Sequence, residues 1–156
     1  MEEKVGMKGW FSIDHFDKSG NLIESVSTPN ATTNVGFKEV AQLIGLDTAS
    51  SGTAFDYIAV GVGTTAATAT DTALETEITD TGLTRAAGSG TNVTTTVSGD
   101  TLQIVKSFSP SGSKAVTESG ILNASSAGEM LCRQTFSAIN VTNGDTLTIT
   151  WKIKVS

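Results

Sequence analysis

Few groups in this 156-residue chain can do chemistry, and they are scattered: one histidine, His15, and one cysteine, Cys132. A Cys-His or Ser-His-Asp site would have to use His15, because each needs a base beside its nucleophile. His15 falls in the polar turn region of an N-terminal hairpin, so a solvent-exposed turn histidine is expected. The carboxylates Asp71, Glu75, Glu77 and Glu118 are of the type that flanks a glycosidic bond in hydrolysis. Glu75 and Glu77, however, stand in an expected helical turn, where acids complement the N-terminal dipole. No acid, base and pocket converge, and an enzyme is not expected.

Ligand-binding patterns are weak as well. The turn Asp17-Lys18-Ser19-Gly20-Asn21 has the oxygens of a calcium loop, but its glycine comes too early, position twelve would be Thr28, and flanking helices are missing. No metal is expected there. The glycine-rich GVGTT at 61–65 lacks the Lys-Ser/Thr pair of a phosphate loop and the third glycine of a dinucleotide fingerprint, so no cofactor is expected. A formal net charge of −6 and a pI near 4.6, with no visible basic patch, argue against a nucleic-acid partner. No apolar run reaches membrane-span length, and MEEKVGMKGW lacks the features of a signal peptide, so a soluble protein without a membrane partner is expected. Cys132, in EMLCRQTF, reads as a small buried apolar group. The Asn-X-Ser/Thr triplets at Asn30, Asn92, Asn123 and Asn140 are what a Thr- and Ser-rich chain produces by chance.

The elements that must position these groups are mostly strands. Residues 55–78, FDYIAVGVGTTAATATDTALETEI, organise the chain: Tyr57, Ile58, Val60 and Val62 predict a strand covered on both faces and near the middle of a sheet. Gly61 and Gly63 break it, and Asp71 is placed to cap a short helical turn carrying Leu74 and Ile78. Upstream, residues 8–14 and 22–26 predict a hairpin. A helix is expected over 34–44, capped by Asn34, with Phe37, Val40, Ala41 and Ile44 buried and Lys38, Glu39 and Gln42 on the other face. Downstream come a short strand at 83–87, a turn at 88–90, and hairpins pairing 93–97 with 102–108 and 116–122 with 130–136. In the last strand Leu147, Ile149, Trp151, Ile153 and Val155 alternate with polar residues. The expected fold is all-β and mainly antiparallel, a β-sandwich or jelly-roll-like domain with one short helix and an N-terminal hairpin. Residues 1–33 form the hairpin or arm and 34–156 the sandwich, in one compact domain overall.

From the organising stretch onward the chain resembles a family of small virion proteins of tailed bacteriophages and prophages. The resemblance covers about residues 55–155 and rests on YIAVGVGTTAATATDTALETEI, an arginine after a short strand at Arg85, VTESGILNASSAGEMLCRQTF, and GDTLTITWKI. Gly61, Gly63, Thr65, Asp71, Thr72, Leu74 and Glu77 match its loop; Glu118, Gly120 and Asn123 match its later hairpin. The resemblance implies a structural protein of the virion without a catalytic group. Its leading implication is a capsid decoration, or cement, protein that binds the major capsid protein on the outside of the assembled head and self-associates, for example as a trimer. The alternative is a tail or fibre component that attaches to a host-surface glycan through the loops at 50–53, 64–70 and 109–113. Candidate contact residues are Trp10 and Lys8 on the first strand and Thr64, Thr65 and Thr68 in the loop. Glu118 is expected to pair with Arg85 or Arg133.

Overall fold

The first and last strands of the chain pair with each other, each turning one face to the core. The computed structural model describes residues 6–45 and 53–155, with side chains described for 6–40 and 53–155. β1 (Met7–Phe16) and β10 (Thr146–Val155) run antiparallel, from Met7 opposite Val155 to Phe16 opposite Thr146. β2 (Leu22–Pro29) closes the hairpin with β1. Its turn is shaped by Gly20, at φ 84°, and by the Asp17 carboxylate, which accepts from the amides of Ser19 and Asn21 at 2.8 and 2.9 Å. β7 (Thr101–Phe108) flanks β10 on its other side, and β6 (Ser89–Val93) flanks β7, giving a first sheet ordered β2-β1-β10-β7-β6.

The second sheet joins β3 (Ala31–Thr32), β9 (Met130–Val141), β8 (Lys114–Leu122), β4 (Tyr57–Gly61) and β5 (Ala86–Ala87), in that order. The named strand pairs are all antiparallel, the chain crosses between sheets after β2, β5, β7 and β9, and one helix, α1 (Asn34–Gly45), completes the described fold. This is an all-β sandwich. The N-terminal hairpin is built into the first sheet, since β1 pairs with the C-terminal strand across the expected boundary at 33/34.

Between the sheets lies one core, with Phe11, Ile13, Ile104, Leu147, Ile149 and Trp151 from the first sheet meeting Ile58, Val60, Val116, Ile121, Cys132 and Ile139 from the second. Trp151 is its centre: the ring lies 4.9 Å from that of Phe11, and the indole N–H donates to Ser119 Oγ at 3.3 Å. Ser119 in turn donates to the Ala59 carbonyl at 2.9 Å, so the buried indole nitrogen ends on a satisfied group. Val155 departs from the expected buried set and is exposed, because the sheet ends there.

Several expectations give way to tertiary context. The segment 71–78 is not a helical turn; it is an irregular strap whose Glu77 bridges antiparallel to Gly61. β4 lies one strand from the sheet edge, flanked by the two-residue β5, and the strap supplies the cover that its apolar residues require. The hairpin partner of β7 is 89–93, and 94–100 forms the turn; of 83–87 only Ala86 and Ala87 pair as a strand. In α1 the cap is Thr33, whose hydroxyl accepts from the Gly36 amide at 2.9 Å, and not Asn34. Phe37 is 45 % exposed and Glu39 3 % exposed, the reverse of the expected faces, while Val40 packs on the core. The side chains of Ala41, Gln42 and Ile44 lie outside the described residues, as does most of the 47–53 linker.

Candidate functional site

A bulge in β8 creates the first notable site. Val116, Ser119 and Ile121 all face the interior, a spacing that regular alternation forbids, and the register shifts between Val116 and Glu118 to allow it. Thr117 takes up the extra residue and donates to the Gly63 carbonyl at 2.7 Å. Glu118 is thereby turned to the outer face of the second sheet, yet it is 0 % exposed because the strap from 61 to 78 folds back over it.

Glu118 holds that strap by its backbone. Its Oε1 accepts from the amides of Gly63 at 3.0 Å and Thr76 at 2.7 Å; its Oε2 accepts from the Glu75 amide at 3.0 Å and from Arg133 Nε at 2.9 Å. Arg133, equally buried, reaches onward through Nη1 to Asp71 Oδ2 at 2.7 Å, and its Nη2 lies 2.9 Å from Glu118 Oε2. Burial alone would push the Asp71 carboxyl up, but hydrogen bonds from Thr68 and Arg133 outweigh it and hold the group below the usual carboxylate range. Burial likewise disfavours the Arg133 charge, and Asp71 and Glu118 more than restore it. Arg85 forms a second clamp, donating from Nε to Glu77 at 2.9 Å and from Nη1 to the Ala127 carbonyl at 2.7 Å. Under the strap, Leu74 packs on Ala59, Leu122 and Met130 as a small second core.

The glycines of the loop are needed for space. A Cβ on Gly63 would lie 2.5 Å from both Glu118 Oε1 and Glu75 Cβ, and one on Gly61 would collide with Glu118 and the Thr76 carbonyl. Thr65 and Thr68 act within the loop: Thr65 donates its amide and hydroxyl to Glu75, each at 2.8 Å, and the Thr68 hydroxyl donates to Asp71 at 2.7 Å. The amide and hydroxyl of Thr65 hold the Glu75 carboxyl below its ordinary range. Thr64, Ala66, Ala69 and Thr70 are exposed along the crest.

Trp10 and Lys8 lie elsewhere, on the outer face of the first sheet, so the five expected contact residues do not form one surface. Trp10 is 38 % exposed and stands opposite Lys152 on β10 and Pro29 on β2; Lys8 stands opposite Lys154. The chain has no basic run in sequence, but pairing of its first and last strands gathers Lys8, Lys152 and Lys154 at one end of this face. Beside Trp10 is a groove of about 300 Å³ lined by Ser12, Ser27, Thr95, Thr150 and Lys152.

His15 is a buried group and not an exposed turn residue. It is inward-facing on β1, and its Nε2 lies 2.9 Å from Asp145 Oδ2, a partner 130 residues away. That bond, with the Thr142 amide, holds the Asp145 carboxyl below its ordinary range. Cys132 is buried in the main core, and burial pushes its thiol up to about 12. Among the described residues no group of three or more His, Cys, Asp or Glu could hold a metal ion, and no helix is long and apolar enough to cross a membrane.

No family model, curated protein or solved structure matches the chain. The sites must therefore be read from their own chemistry.

Proposed function

We propose that the protein is a structural component of a tailed-phage particle: a decoration protein that binds the major capsid protein on the outside of the assembled head and reinforces it. One observation carries most of the weight. The buried Glu118–Arg133 ion pair and three hydrogen bonds from strap amides to Glu118 hold a surface loop whose exposed crest is threonine and alanine. A loop made rigid in this way, with its polar groups turned to its own support, loses little conformational entropy when it meets another protein surface. Its uncharged crest also brings little desolvation cost to such a contact. The sequence resemblance to virion proteins runs through this same loop.

In this reading the crest around Thr64, Thr65 and Thr68 contacts the shell, the protein acts without a catalytic step, and copies associate about a symmetry axis, with a trimer the first stoichiometry to test. The test is addition of purified protein to undecorated heads, with copy number counted by imaging and shell heat resistance measured. Wild type is expected to cover the head and raise the disruption temperature, and Ala66→Glu, which places a charge on the crest, to bind poorly while folding normally. A signal confined to the tail would favour the tail or fibre role over the decoration role.

A further inference from the structure

The outer face of the first sheet divides into two halves. Toward its β1–β2 turn the polar side chains are satisfied by one another: Ser25 donates to Asp14 at 2.6 Å, and Ser107 and Thr148 lie 2.8 Å apart. Around Trp10 they are not. The indole N–H of Trp10, the hydroxyls of Ser12, Ser27 and Thr150, and the ammonium of Lys152 make no hydrogen bond with another described residue. Register brings them together, since Ser12 is opposite both Thr150 and Ser27, and Trp10 is opposite Lys152. The groove they line has one fixed wall: the Asp100 carboxylate accepts from the amides of Thr95, Thr96 and Val97 at 2.8, 2.9 and 3.0 Å and so pins Thr95.

We propose that this groove binds an acidic saccharide, with a pyranose ring lying on the exposed face of Trp10, its hydroxyls bonded to Ser12, Ser27 and Thr150, and its carboxylate facing Lys152 and Lys8. The chemistry follows from the free groups. A flat indole accepts the apolar face of a sugar ring, hydroxyls beside it both donate and accept as ring hydroxyls require, and a volume of about 300 Å³ is at the lower limit of small-molecule clefts. Lys152 and Lys8, which make no ion pair with another described residue, select a negatively charged ligand in a chain of net charge −6, while Lys154 beside them is held by Thr96 and lies 4.0 Å from the Asp100 carboxylate. A protein partner is the poorer fit, because a buried interface centre is usually apolar and depleted of lysine. Single-stranded nucleic acid also stacks on aromatics, but it needs a track of cations along several phosphates, and here Lys154 is already engaged by Thr96 at 2.7 Å. The saccharide site is not one of the loops at 64–70 or 109–113, which have no exposed aromatic ring. It is independent of the head-binding proposal, which concerns the other outer face.

The isolated full chain tests it through its own fluorescence. Trp151 is enclosed in the core, so a change on titration reports Trp10. The probes are trimeric uronates of the galacto, gluco and manno series and sialyllactose, each beside its neutral methyl ester. At least one acid is expected to bind more tightly than its ester. The variants are followed by isothermal titration calorimetry, which does not need the Trp10 signal: Trp10→Ala should weaken that binding about tenfold or more, and Lys152→Ala should erase the preference for acid over ester. Both positions are on the surface, and an unchanged near-UV signal from Trp151 checks the fold. No response to any saccharide, a response indifferent to Trp10→Ala, or binding of oligothymidylate in place of sugars overturns the site. Equal affinity for acid and ester overturns the role given to the lysines.

Discussion

Replacing Glu118 by glutamine keeps the shape of the side chain and removes the charge on which four donors converge. One glutamine oxygen can still accept from two of them, as Oε1 now does from Gly63 and Thr76. The amide nitrogen, in either orientation, then faces two donors, in the first case the Glu75 amide and Arg133 Nε. Each buried donor left without an acceptor costs about 1–3 kcal/mol, and breaking one side of a buried ion pair costs about 3–5 kcal/mol. Asp71 still holds Arg133 through Nη1, which places the expected loss near the lower end, about 3 kcal/mol. Against a net stability of about 5–15 kcal/mol this is large, and it corresponds to a fall in Tm of roughly 6–12 °C. Urea melts followed by Trp151 fluorescence give the energy, and native-state hydrogen exchange gives its location: the amides of Gly63, Glu75 and Thr76 should lose protection ahead of the core. Pairing Glu118→Gln with Arg133→Met should cost less than the sum of the single changes. A loss below about 1 kcal/mol with those three amides still protected would refute the view that Glu118 holds the strap.

Three further outcomes follow from the same geometry. Asp71 and Asp145 have folded-state pKa values below the ordinary carboxylate value, so the stability they contribute is complete above about pH 4 and is lost as pH falls through the lower folded values. Tm should therefore drop steeply below about pH 4, and Asp71→Asn, less stable near neutrality, should show a shallower acid slope. Cys132 should be silent to a thiol reagent at pH 8 in native buffer and react fully in denaturant, since burial pushes it up to about 12; rapid native labelling would contradict the core placement. Ending the chain at Thr146 removes Leu147, Ile149, Trp151 and Ile153 and separates β1 from β7, so no cooperative melt should remain; a soluble truncated protein that melts cooperatively would count against the sheet order.

Legibility in the sequence followed the length of regular alternation. β10 can be read directly, and β1 and β7 nearly so, because each presents one apolar face over several residues, whereas β2 contributes only Val26 to the core and is legible through the turn that pairs it with β1. The turn at 17–21 was equally plain from its Asp and Gly. What failed was local propensity where a distant partner overrode it. The 71–78 segment carries a capping aspartate and apolar residues at helical spacing, but its amides at 75 and 76 go to Glu118, more than forty residues on, so no helix ladder forms. His15 looked like a turn residue because it adjoins Asp14 and Asp17, yet strand parity with Phe11 and Ile13 already placed it inward. Phe37 and Glu39 lie on faces opposite to those expected because a helix period fixes the stripe's spacing, and packing chooses its direction. The bulge left a trace that could have been read: Val116 and Ile121 are an odd number of residues apart and both belong in the core, which one regular strand cannot satisfy. The lysine cluster leaves none, since Lys8 comes opposite Lys154, and Trp10 opposite Lys152, only after β1 has paired with β10.

The two outer faces are finished in different ways, and the difference bears on function. On the second sheet, charged groups are turned inward and spent on holding a strap whose crest is uncharged; on the first sheet, an indole, three hydroxyls and an ammonium face solvent without a partner among the described residues. A buried ion pair is a poor source of stability compared with apolar residues of the same volume, so its use under the strap is better understood as fixing one loop shape. In a two-layer sandwich these faces point in opposite directions, and a protein seated on a shell by one of them presents the other to its surroundings. If the two proposals hold, the arrangement is that of an adaptor, with a braced loop on one face and unpartnered polar groups on the other, and the two proposed activities are separable by mutation. Glu118→Gln should loosen shell attachment and leave the calorimetric affinity for acidic sugars unchanged, whereas Trp10→Ala should do the reverse. Loss of both activities in either variant, with the fold intact, would mean that the faces are not independent and that a single surface serves both.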